Sequence, residues 1–167
     1  MKKILLILTL IFSYQLGQAQ PPTYDDLLIL YADEDYDKCL KKAERYTQKD
    51  DTKKDAIPYL FLSKCKYAMS KDAEWKEKYP DAYKDAFSYA GRARRNDRDS
   101  TLYAEHRDYF SELKKSALEE ILNLMDEGSY GRALGSIFKV RMFAFEDIGS
   151  LFMLAACYLE KRNGAKA

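Results

Sequence analysis

Three short stretches share one design: "YDKCL" from Tyr36, "YKDAF" from Tyr83 and "YGRAL" from Tyr130. Each is a tyrosine, two polar or small residues, a small residue and then a large apolar one. Further along each stretch come Ala43, Ala90 and Ile137, then Tyr46, Ala93 and Val140. Steps of three and four residues place these positions on one face of a helix. An ordinary core helix needs an apolar stripe but no small residue at a set point. A helix pressed against another backbone does. The tyrosines are 47 residues apart in both intervals, but a loop fills the extra length in one and a long helix in the other. What recurs is therefore the helix face, and recurring faces imply stacked helical hairpins.

The rest of the chain has the same helical spacing, with only seven glycines and four prolines to interrupt it. "TYDDLLILYA" opens with Thr23 as a predicted cap and Asp26 three places on. "DYDKCLKKAERYTQ" follows. "DAIPYLFLSKCKYAM" then has Asp55 as its predicted cap and Pro58 in the first turn, where a missing N–H costs little. "SKDAEWKEKYP" is polar and closed by Pro80, which predicts an inserted loop or short helix at about residues 71–80. "DAYKDAFSYAGRARRND" gives another helix, and one long helix is expected from Ser100 to Met125. "SYGRALGSIFKVRMF" and "GSLFMLAACYLEKRN" complete the set. No segment alternates with period two. The expectation is an all-α chain of seven helices.

The last third carries a resemblance. The pairs Ala117–Leu151, Leu124–Tyr158 and Ala133–Ala167 are each offset by 34 residues, the length of the tetratricopeptide repeat. "LFMLAACYLEKRNGAKA" resembles the first helix of such a repeat, with Leu151, Leu154, Ala155, Tyr158 and Ala167 in the family's places. "EGSYGRALGSI" resembles the preceding turn and second helix, with Gly128, Tyr130, Ala133 and Ile137 in place. Glu120, Ile121 and Phe145 depart from the pattern. The resemblance implies antiparallel hairpins stacked as a right-handed superhelix, with small residues at Ala133 and Ala155 for close approach. It also implies that the first helices bind a protein or peptide partner along a concave surface. Leu118 and Leu122 of the long helix, and Phe152 and Ala156 of the last, stand at the corresponding places. They suit an amphipathic or hydrophobic segment, or else they pack against a neighbouring helix. The family's carboxylate clamp, which needs Lys and Asn there, is not expected.

The chain begins "MKKILLILTLIFSYQLGQAQPP". Lys2 and Lys3 precede an apolar run, and Gly17 and Ala19 supply small residues for a peptidase, so residues 1–19 are expected to be a signal peptide. Ile4 to Leu16 is 13 residues, and a spanning helix needs about 20. No cysteine lies near the cut, which argues against lipid attachment. The expected product is one domain, residues 20–167, free of the membrane in a bacterial periplasm. After cleavage it carries 26 basic and 27 acidic residues, which offers no basic stripe for nucleic acid. "GRARRNDR" is the densest cluster, and it falls where a helix end would favour cations.

Nothing in the chain spells out catalysis. The single histidine, His106, shares a helix face with Leu102, Tyr109 and Leu113, which favours packing over ligation. There is no phosphate loop and no nucleophile elbow. Neither cofactor nor metal is expected. Acidic pairs such as Asp25–Asp26 and Glu119–Glu120 fall on solvent faces, and a carboxylate-pair glycosidase is merely unsupported. The three cysteines, Cys39, Cys65 and Cys157, match no zinc or redox spacing. They are expected to be buried thiols, with Cys39 and Cys65 able to pair if their helices touch. The expectation is a non-catalytic exported adaptor. The alternatives are a subunit of an envelope or secretion complex and a helical cell-wall hydrolase. Because "CYLEKRNGAKA" stops just inside a second helix, the C-terminal helix is also expected to be completed by another chain, either a second copy through self-association or a partner.

Overall fold

The computed structural model describes residues 23–144 and 147–164. The leader lies outside them, as does Phe145. Among the described residues there are nine helices and no strand. In chain order they are α1 (Asp25–Ala32), α2 (Tyr36–Gln48), α3 (Ala56–Met69), α4 (Ala73–Lys78), α5 (Ala82–Asn96), α6 (Thr101–Glu105), α7 (Arg107–Asp126), α8 (Tyr130–Arg141) and α9 (Ile148–Gly164). The fold is all-α.

Two of these helices go beyond the expected seven. The polar insertion contains α4, whose start is fixed by Asp72: its carboxylate accepts from the N–H of Glu74 at 2.8 Å and of Trp75 at 3.4 Å. Lys78 and Tyr79 then reach Asp37 at 3.0 and 2.6 Å, which ties the insertion to the start of α2. Hydrogen bonds from Lys41, Tyr79 and Lys78 hold the Asp37 carboxyl well below the usual carboxylate range. The long helix expected from Ser100 is interrupted at His106, where φ is −110° and ψ is 28°. Its first turn is a separate unit. Asp97 accepts from the N–H groups of Leu102 and Tyr103 at 3.1 and 2.8 Å, and Ser100 turns the chain at a φ of 64°.

The caps differ from expectation as well. Helix α1 starts at Asp25 after Tyr24, not on a Thr23 cap. Asp55 does precede α3, but its carboxylate caps nothing; it accepts a hydrogen bond from the Tyr24 hydroxyl instead. Gly128 ends α7 as a C-terminal glycine should. Its φ of 70° lets Ser129 N–H reach the Leu124 carbonyl at 2.7 Å and Gly128 N–H reach Met125 at 2.9 Å.

Packing follows chain order. Helix α2 lies against α1 and α3, α3 against α5, α8 against α7 and α9, and α5 reaches across to α8. Helix α3 is apolar around most of its circumference, and both sides are used. Phe61, Leu62 and Cys65 enter a cluster with Tyr24, Leu27, Cys39, Leu40 and Ala43. Leu60 and Tyr67 enter the larger core with α5, α7 and α8.

The three like stretches behave alike. Cys39, Ala86 and Ala133 are each fully buried, as are Ala43, Ala90 and Ile137. Leu40, Phe87 and Leu134 are buried beside them. The small residues bring backbones together, most visibly at Gly91 on the same face of α5. A Cβ there would stand 2.7 Å from the Met142 Cβ at the end of α8.

Candidate functional site

Helix α9 packs on α8 with one side only. Ser150 and Cys157 are buried, and Met153 and Leu154 lie half-buried against the main core. The start of the helix is held by Asp147, which accepts from Ser150 N–H at 2.8 Å and pairs with Lys114 of α7 at 2.9 Å. The Lys114 hydrogen bond is the main cause of an Asp147 carboxyl below its ordinary value. On the opposite side Ile148, Phe152, Ala155 and Leu159 follow at steps of four, three and four. Ile148 is 68% exposed, Phe152 72% and Leu159 60%. Leu151 and Tyr158 are exposed at the margin. A helix of globular type covers its apolar side and turns polar residues outward. This one presents apolar residues on both sides.

The four residues expected to form a partner stripe are divided by the structure. Phe152 and Leu122 are exposed, whereas Leu118 packs against the core and Ala156 is half-buried. Leu118 turns inward because it lies one position after the buried Ala117 and three before the buried Ile121. Helix α8 lies between α7 and α9 as a shared neighbour and adds the exposed Phe138, with Met142 following it. Ala155, expected at a close helix approach, is exposed instead. Sequence reasoning missed Ile148 and Leu159. The signal was present in the all-round apolarity of "IGSLFMLAACYL".

A second grouping joins α1, α3 and α7. Lys64 Nζ lies 5.6, 5.7 and 5.5 Å from the ring centres of Tyr31, Phe61 and Tyr109. It donates to His106 Nδ1 at 3.3 Å. Burial lowers the Lys64 amine, and burial together with Lys64 lowers the His106 imidazole. Burial also pushes the Tyr31 phenol up to about 12. His106 is thus half-buried at the break between α6 and α7. Lys66, two residues on, pairs with Asp85 at 3.4 Å, but among the described residues no carboxylate pairs with Lys64. Rings and an imidazole compensate its charge.

Other candidates carry less. A cleft of about 510 Å³ is lined by Tyr24, Asp55, Ile57, Asp97, Arg98 and Glu105 among others, but Asp55 is engaged by Tyr24 and Asp97 by two backbone N–H groups. Among the described residues no group of three His, Cys, Asp or Glu side chains is placed to hold a metal ion. No described helix is long and apolar enough to cross a membrane. No family model, curated protein or solved structure matches the chain.

Proposed function

We propose that this chain is an exported, non-catalytic adaptor of tetratricopeptide type that binds a protein or peptide partner in the bacterial periplasm. The observation that carries the proposal is the outward side of α9, where Phe152 is 72% exposed within an apolar stripe at helical spacing. Apolar patches of that kind on a folded surface mark interaction sites, and an aromatic anchor at the centre is what hot spots use. The complementary segment is an amphipathic helix laid along the stripe. Hairpin stacking in a superhelix accounts for the neighbour-to-neighbour packing and for the shared face of α2, α5 and α8. The leader supplies the address.

Affinity capture from a bacterial envelope extract tests the proposal. The expected result is one recurring partner that Phe152→Asp removes while the melting temperature stays unchanged. Sedimentation of the purified chain separates a second copy from a foreign partner as occupant. Turnover of purified peptidoglycan, or capture unaffected by Phe152→Asp, would reject the adaptor reading.

A further inference from the structure

The N-terminal cluster holds two cysteines on neighbouring helices. Cys39 of α2 and Cys65 of α3 are both fully buried, and both are free thiols. They belong to one buried cluster on helices that pack together, and the Cys39 thiol donates to the Leu27 carbonyl of α1 at 3.5 Å. Three helices thus meet around the two cysteines. Cys157 belongs to the other core and is not part of this group.

We propose that Cys39 and Cys65 are an oxidation site that closes to an intramolecular disulfide, cross-linking α2 to α3, when the chain folds in an oxidising compartment. The chemistry is thiol–disulfide exchange with an external disulfide of the glutathione class. One cysteine thiolate attacks the oxidant, forming a mixed disulfide and releasing one glutathione thiol. The other then attacks the protein sulfur of that mixed disulfide and releases the second. Two thiol protons are lost from the protein, and its two electrons reduce the oxidant to two thiols. The neighbouring Cys39 and then burial push the Cys65 thiol up. Full burial keeps a folded chain closed to the oxidant, so exchange occurs during folding or when α2 opens locally from α3. This site is independent of the partner surface on α9.

The full chain tests it directly. It is reduced, unfolded in urea, refolded with oxidised and reduced glutathione, then unfolded again with N-ethylmaleimide. The expected product carries one maleimide, on Cys157, and yields a digest peptide joining Cys39 to Cys65 that reductant removes. Cys157→Ser should keep that peptide and carry no maleimide. The closed form should melt about 10 °C above the reduced one, as loop closure of this size implies. Three maleimides per chain, lasting glutathione adducts, or a bridge to Cys157 would each overturn the proposal. The mass readout does not require a variant to fold.

Discussion

Helices α3 and α9 have the same kind of sequence and opposite surroundings. "AIPYLFLSKCKYAM" and "IGSLFMLAACYLEKRNG" are both apolar around most of the helix. In α3 both sides are occupied, α2 and α1 on one and α5 on the other, so that Leu60, Leu62, Cys65 and Met69 are all buried. In α9 one side rests on α8, and the other shows Ile148, Phe152 and Leu159 to solvent. All-round apolarity states a demand for two covers. Helix α3 shows what the satisfied demand looks like, and α9 shows half of it.

The largest expected effect separates the two helices. Leu60→Ala removes a fully buried side chain and should cost about 2–5 kcal/mol of unfolding free energy. Phe152→Ala removes a larger one from solvent and should stay within about 0.5 kcal/mol. Urea titrations of both variants give the contrast. Equal losses would mean that the outward side of α9 is already covered within the isolated chain.

Next come the close approaches that α9 lacks on its outer side. Ala133→Leu should overpack α8 at a cost of about 1–3 kcal/mol, and Ala155→Leu, at an exposed position, should cost almost nothing. Gly91→Ala brings its Cβ to 2.7 Å from Met142 and should lower the melting temperature in the same way as Ala133→Leu. An unchanged midpoint for Ala133→Leu would break the equivalence of α2, α5 and α8.

A smaller effect concerns how α9 is anchored. Asp147→Asn keeps a capping oxygen but loses the charge facing Lys114, and about 1 kcal/mol is expected, as for a helix cap with a charged partner. The Asp147 carboxyl is lowered in the folded protein. Its contribution is present above the unfolded value and is lost as pH falls through the folded one. Acid melts should therefore show a step in the native protein that Asp147→Asn lacks.

The smallest effect lies on the α3 side. His106 is lowered in the folded state, so the unfolded chain binds the proton more readily. Stability should be full above the ordinary histidine range and decline as pH falls through it. His106→Gln should flatten that decline, and its single imidazole resonance makes the titration easy to follow. Burial, Lys64 and Glu105 are what bear on it.

Much of this was legible in the chain. The positions of α2, α3, α5, α8 and α9 follow from spacing alone, and the small-residue face of α2, α5 and α8 was readable as close packing. Local chemistry was less so. Thr23 and Asp55 have the composition of caps, but a tertiary partner, Tyr24, takes the Asp55 carboxylate. The break at His106 is invisible to periodicity, because α6 and α7 keep compatible faces across it. Lys64 reads as an ordinary surface lysine until α1 and α7 bring Tyr31 and Tyr109 beside it. Of the expected partner residues, Leu122 and Phe152 are exposed, while Leu118 packs against the core beside Ala117 and Ile121, the alternative that its spacing left open.

The most direct test of an open side on α9 is photo-crosslinking from that side in the producing cell. A photoreactive residue at position 152 should give one discrete adduct with another polypeptide chain. The same residue at position 45, exposed on the polar side of α2, should give none. Absence of an adduct from position 152, or the same adducts from both positions, would contradict the account.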